Sequence, residues 1–260
     1  MFLRDVTVYL DPGPETHRRL GIAATLAKAH DACLTGVDLS AAVSSRVGFR
    51  AARGALRAAF QAKASEMGIR SIYREVDVDA IEDGDPRCAA SDLIVVTRGD
   101  GRDGSSPSAD LPERLLMTAG APILVLPRGW EGSGPVGRRP IVAWDGSGEA
   151  TRAAHDALPL LRRSERTSVF VFEDDSDGNA AGLHVFAAHL RRHEVPTVVI
   201  GQRSGPHGRA TPALLAHVEA EGGDLIVAGA YGHPRVAERL FGGATRELLA
   251  GAPVPLLMSH

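Results

Sequence analysis

"GDLIVA" (223–228) and "SDLIVV" (91–96) are nearly one phrase written twice. Each is a short apolar run behind an Asp, the pattern of a strand buried on both faces. Two further pairs keep the same order. "VTVYLD" (6–11) answers "PIVAWD" (140–145), and "AGAPILVL" (119–126) answers "AGAPVPLL" (250–257). The offsets are 134, 132 and 131 residues. Apolar strands of any α/β protein share Leu-Ile-Val, but not the Asp before it or an Ala-Gly-Ala-Pro in a fixed place. The chain therefore reads as two homologous halves of about 130 residues, an ordinary domain size. The expected division is 1–130, a linker over 131–139, and 140–260. The glycines, proline and charges of "RGWEGSGPVGRR" (128–139) suit such a junction.

Within each half, apolar runs alternate with helical periodicity. In the second half the pattern predicts strands near 140–144, 167–172, 197–201, 224–229 and 254–258. Helices are expected near 148–163, 180–193, 210–221 and 243–250. "EATRAAHDALPLLRR" sets Ala150, Ala153, Ala154, Ala157, Leu158 and Leu161 on one helical face. In the first half, 46–68 reads as a long helix before an alternating strand, "SIYREVDV", and no convincing helix lies between Val78 and Asp92. Strands separated by helices imply right-handed βαβ units and a parallel sheet covered on both faces. The fold expected is two tandem doubly wound α/β domains of five parallel strands each.

Composition narrows the function. The chain has 260 residues, 44% of them hydrophobic and 5% aromatic, with a net charge of −3. That balance carries no nucleic-acid footprint. Cys33 and Cys88 stand apart without neighbouring ligands, which argues against a disulfide framework or a zinc site. No run of eighteen apolar residues exists, and the N-terminus enters a strand pattern directly, so a soluble cytoplasmic protein is the expectation.

In a doubly wound sheet, ligands sit beyond the carboxyl ends of the strands, where strand order reverses. The loops after the first and fourth strands are therefore the candidates. The first, in the second half, is "WDGSGE". Asp145 can accept hydrogen bonds from ribose hydroxyls or an adenine amino group, or Asp145 and Ser147 can simply cap the next helix. The other loop lies in "GAYGHPRVAERLFGGATREL" (229–248). Its glycines let backbone approach a ligand, and Gly242, Gly243, Ala244 and Thr245 lead into a helix whose first amides could hold phosphate. A strand–helix loop with glycine turns explains the same residues, and both readings stand on generic grounds.

The spacing Gly229-x2-Gly232-x9-Gly242 resembles the signature of the universal stress protein (UspA-type) family. "VAWDGS", "DLIVAGAYGH", "FGGATRELL" and "PVPLLMSH" resemble that family too, and the repeated halves resemble its tandem members. The resemblance covers the second half with specific motifs. In the first half it rests on Asp11, "DLIVVTRG" and "LPERLLMTAGAPILVLP". It implies five parallel strands per domain and an ATP site, with or without Mg2+, in the C-terminal half only. There Asp145 would approach ribose or adenine, with Gly146 and Ser147 beside it in the cofactor site, the amide near Val171 would contact the base, and Gly229, Gly232, Gly242, Gly243, Ala244 and Thr245 would line the phosphates. The family usually has Ser or Thr where this chain has Gly243, which removes one hydroxyl and leaves the amide.

The first half departs further. Its corresponding loop, "TRGDGRDGSSPSADLPERLL", does not fit the glycine spacing, and Asp100, Asp103 and Asp110 would repel phosphate. Pro12 and Pro14 replace the Gly-Ser element after Asp11. This half is expected to be a degenerate structural partner.

Other ATP chemistries lack their residues. There is no GxxxxGK[ST] and no His-x-Gly-His, and in "GQRSG" (201–205) Ser204 stands one place late for a nucleophile elbow. His189 and His193 have the i, i+4 spacing of metal ligands, but with no third ligand in view a solvated helix face is the reading. The expected function is a stress-response module that binds an adenine nucleotide without strong catalysis. The alternatives are a ligand-free structural tandem and a slow ATP-hydrolysing or phosphate-transferring enzyme that draws on Asp145, Glu238 or His233. The resemblance also implies intramolecular pairing of the halves through "PILVLP" and "PLLM", apolar edge-strand candidates. Homodimers are possible, no nucleic acid or membrane partner is expected, and no protein partner is identified.

Overall fold

The computed structural model describes residues 2–40, 49–76, 90–98, 111–132, 135–173, 178–203, 210–231 and 241–260. They form two compact units, Phe2–Glu131 and Gly132–His260.

In the first unit the strands are β1 (Asp5–Leu10), β2 (Cys33–Asp38), β3 (Ser71–Glu75), β4 (Leu93–Thr97) and β5 (Ile123–Leu126). All neighbours are parallel, in the order β3-β2-β1-β4-β5. The described helices are α1 (Thr16–His30), α2 (Phe49–Met67) and α3 (Leu111–Thr118). Every residue of β4 and β5 is buried, as a continuous apolar run between two helical layers demands. β3 is largely exposed, with only Tyr73 half-buried. The expected gap in helix after Val78 and the acidic loop with Asp100, Asp103 and Asp110 fall on 77–89 and 99–110, outside the described residues.

The second unit repeats the plan. Its strands are β6 (Pro140–Ala143), β7 (Thr167–Glu173), β8 (Thr197–Arg203), β9 (Leu225–Gly229) and β10 (Leu256–Ser259). They are parallel in the order β10-β9-β6-β7-β8. Its helices are α4 (Gly148–Asp156), α5 (Leu158–Leu161), α6 (Gly178–Arg192), α7 (Ala210–Glu221) and α8 (Phe241–Gly251). The single helix expected over 148–163 is two. Ala157 closes α4 with its amide bonded to the Ala153 carbonyl, and Pro159, which has no amide to give, sits in the first turn of α5. The predicted apolar face nevertheless holds across the break. Ala150, Ala153, Ala154, Ala157, Leu158 and Leu161 are all buried.

Both units place the switch in strand order between their first and fourth strands: β1 and β4 in one, β6 and β9 in the other. Any ligand crevice of this topology opens at the carboxyl ends of those pairs. The two Asp residues noticed in the sequence, Asp11 and Asp145, stand at those ends.

Candidate functional site

In the second unit a cavity of about 160 Å³ opens at this switch point. From the end of β6 it is lined by Ala143, Trp144 and Asp145, and from the start of α4 by Ser147, Glu149 and Ala150. The end of β9 adds Ala228, Gly229 and Tyr231, and α8 adds Ala244, Thr245 and Leu248. Phe170 of β7 and the first turns of α7, through Ala210, Thr211 and Leu214, complete the wall. Residues from opposite ends of the half are thus brought to one place by the crossing of the chain.

The loop after β6 is built by local hydrogen bonds. Asp145 Oδ1 accepts from the Ser147 amide at 2.9 Å, and Gly146 turns the chain with φ of +81°, a left-handed conformation that glycine takes without strain. Ser147 then caps α4, its Oγ accepting from the Ala150 amide at 3.1 Å. Ser147 is buried, so its hydroxyl serves the helix. Asp145 is exposed, and the same loop that fixes its Oδ1 leaves the carboxylate facing solvent at the cleft.

Gly229 has a packing reason. A Cβ there would lie 2.5 Å from the Ala150 amide nitrogen and 2.6 Å from the Glu149 carbonyl carbon. The glycine at the end of β9 is what lets α4 seat its first turn on the sheet, with the small face of Ala150, Ala153 and Ala154 against it. Gly243 is different: a side chain there would meet nothing within 4 Å. Gly242 and Gly243 belong to the first turn of α8, whose leading amides have no acceptor within the helix itself. Among the described residues Gly243 does not line the cavity, whereas Ala244 and Thr245 do. Thr245 is buried, and its Oγ1 accepts from the Tyr231 amide at 3.4 Å. The residue in the left-handed region here is Tyr231 itself, at φ of +56°. Gly232, His233, Arg235 and Glu238 lie outside the described residues.

Val171 lies near the carboxyl end of β7. Its neighbours settle which way each amide of β7 points. The Thr167 amide donates to Pro196 on the β8 side, and the Phe170 carbonyl accepts from the Trp144 amide on the β6 side. With the alternation of a strand, Val171 turns its amide toward β8, where it is paired opposite Gly201. β6 has ended by then, so the main-chain group at this strand end that faces the cleft side is that of Phe172.

Three aromatic residues of the wall were not legible as site residues. Trp144 is buried, stacks on Phe186 with ring centroids 4.9 Å apart and planes 6° apart, and donates its indole N–H to Thr151 Oγ1 at 3.3 Å. Gly182 makes room for that indole, since a Cβ there would come within 3.1 Å of it. Phe170 packs against His217 at 5.3 Å, and burial, followed by Arg166, pushes the His217 imidazole below its ordinary pKa while Glu221 acts the other way. The signal available in the sequence was position alone: Trp144 directly precedes the strand-end Asp.

The cleft is polarised. Asp145 and Glu149 stand on the α4 side, and the positive end of the α8 dipole stands opposite. The first unit handles the same position differently. Asp11 is buried and has both oxygens engaged: Oδ1 accepts from the Gly13 amide at 2.7 Å and from Thr16 Oγ1 at 3.1 Å, and Oδ2 accepts from Arg19 at 2.8 Å. Nearby, Asp38 accepts from the Tyr73 hydroxyl at 2.7 Å, and burial, then that bond, pushes the phenol pKa up. Among the described residues no set of His, Cys, Asp and Glu is already arranged as a metal centre, and no helix is long and apolar enough to cross a membrane.

Two tandem doubly wound α/β units, one with an open cleft at its switch point, define the class of this protein. Residues 138–260 match the model of the universal stress protein family. A universal stress protein from Archaeoglobus fulgidus DSM 4304 is similar over 98% of this chain and 97% of its own, at 17% identity and a TM-score of 0.74. A functionally unknown protein from Pseudomonas aeruginosa PAO1 is similar over 99% and 92%, at 13% identity and a TM-score of 0.64. At such identities the likeness is one of fold. A universal stress protein in complex with cAMP matches over 48% of this chain and 98% of its own, at 18% identity and a TM-score of 0.37. No protein of the curated set is significantly similar in sequence.

Proposed function

We propose that the C-terminal half binds one adenine nucleotide, ATP with Mg2+, and that the chain works as a nucleotide-responsive stress-protein module without strong catalysis. The observation that carries this reading is the meeting of Asp145, Gly229, Ala244 and Thr245 in one cleft at the switch point of the sheet. The polarity of that cleft fits the ligand. A carboxylate on one wall can accept from ribose hydroxyls or an exocyclic amine, and helix-start amides on the other can hold phosphate oxygens. The main chain near Val171 and Phe172, at the carboxyl end of β7, suits a base edge. The N-terminal half binds no nucleotide in this reading, because Arg19 and Thr16 occupy the carboxylate that Asp145 leaves open.

Calorimetric titration of the full chain with ATP and Mg2+ tests it. Asp145→Ala is expected to weaken binding at least tenfold, and Asp11→Asn to leave it unchanged. Equal binding by wild type and Asp145→Ala, or none at millimolar nucleotide, would remove the proposal.

A further inference from the structure

Away from the cleft, α4 and α6 bring three imidazoles together. His189 in the last turn of α6 and His193, the residue just past its end, have ring centroids 4.6 Å apart. His155, near the end of α4, approaches His189 with the two Nε2 atoms 2.8 Å apart, and its ring centroid is 6.4 Å from that of His193. The sequence displayed only the i, i+4 pair of His189 and His193; the third imidazole comes from a helix 34 residues away.

An Nε2···Nε2 distance of 2.8 Å is that of an N–H···N hydrogen bond, in which one ring donates its proton to the lone pair of the other, the direction depending on the tautomers. A dication bound by both at the usual 2.0–2.1 Å would hold them roughly 3.3 Å apart in tetrahedral geometry. Replacing the proton by a metal therefore opens the pair by only about half an ångström. His193, exposed on the same face, reaches the remaining position by turning its ring. The rings as they stand form a hydrogen-bonded pair with a neighbour, and binding completes the chelate. The nearby charges are limited: Arg152 faces Asp156 at 3.6 Å on α4, and Arg192 follows on α6. Three neutral imidazoles with an open fourth position for water suit Zn2+ or another imidazole-preferring dication, not Mg2+ or Ca2+.

We propose that His155, His189 and His193 form a transition-metal site that clamps α4 to α6. It is separate from the nucleotide reading and stands or falls without it. The probe is Zn2+ alone, titrated calorimetrically into tag-free, chelator-treated full chain at pH 7.5. One Zn2+ per chain is expected, with affinity at least tenfold weaker in each of His155→Ala, His189→Ala and His193→Ala, all with unchanged circular dichroism. Excess Zn2+ is expected to raise the melting temperature of the wild type by several degrees and that of His189→Ala by none. Should a variant not fold, His155→Gln, which keeps the size of the side chain, replaces it. Failure of the wild type to bind at 1 mM Zn2+, or equal binding by wild type and His189→Ala, overturns the site.

Discussion

The Arg19 guanidinium donates to the Asp11 carboxylate at 2.8 Å, and both side chains are buried, at 2% and 10% exposure. Arg19 also donates to the Tyr9 carbonyl at the end of β1 and to Thr16. The aspartate that stands where Asp145 faces an open cleft is thus spent on holding α1 to its own strand. Breaking a buried pair by removing one partner leaves an uncompensated charge, which costs about 3–5 kcal/mol. Arg19→Met is therefore expected to lower the urea midpoint of the protein markedly. Because the affected carboxylate serves structure in this half, ATP affinity should not follow.

Gly229 separates packing from ligand contact. Its place against Ala150 leaves no room for even a methyl group. Gly229→Ala forces α4 off the sheet and is expected to cost about 1–3 kcal/mol, as overpacking does. A thermal or urea melt checks this, and an unshifted melt would mean that α4 does not seat there.

Gly243 gives the opposite expectation. It has open space around it and lies in the first turn of α8, where the family carries a hydroxyl residue. Gly243→Ser should stabilise the helix by up to about half a kcal/mol. A hydrogen bond to a charged phosphate contributes about 1.5 kcal/mol, so ATP binding should tighten about tenfold. Titration of the variant beside the wild type checks both effects.

Trp144 offers an optical reading of the cleft. The chain has two tryptophans, Trp130 and Trp144. In Trp130→Phe the remaining indole lines the cavity, so its emission should change saturably with ATP, with the midpoint that calorimetry finds.

His217 predicts how stability depends on pH. Burial against Phe170 holds its folded pKa below the unfolded value of about 6.5. The unfolded chain then binds the proton more readily, so this contribution is complete above about pH 6.5 and is lost as pH falls through the folded value. Urea unfolding from pH 7.5 down to 5 should show the decline, and His217→Leu should flatten the part due to this residue.

Much of this architecture was legible because repetition is a strong signal. The paired phrases around Asp11 and Asp145, "SDLIVV" and "GDLIVA", mark the strands of both halves, and β6 to β10 lie within a few residues of their predicted places. The break between α4 and α5 was missed because the apolar periodicity runs on through Pro159 and hides a change in backbone. At Val171 composition marks a strand, but only the ladder shows which side each amide faces. Phe170 enters the wall through chain crossing, and His155 meets His189 in the same way. Local sequence carries no trace of such meetings.

Equilibrium dialysis of the full chain against labelled ATP with Mg2+ tests the asymmetry between the halves most directly. The account predicts saturation at one nucleotide per chain, with that site lost in Asp145→Ala and kept in Asp11→Asn. Two nucleotides per chain, or one that survives Asp145→Ala, would contradict it.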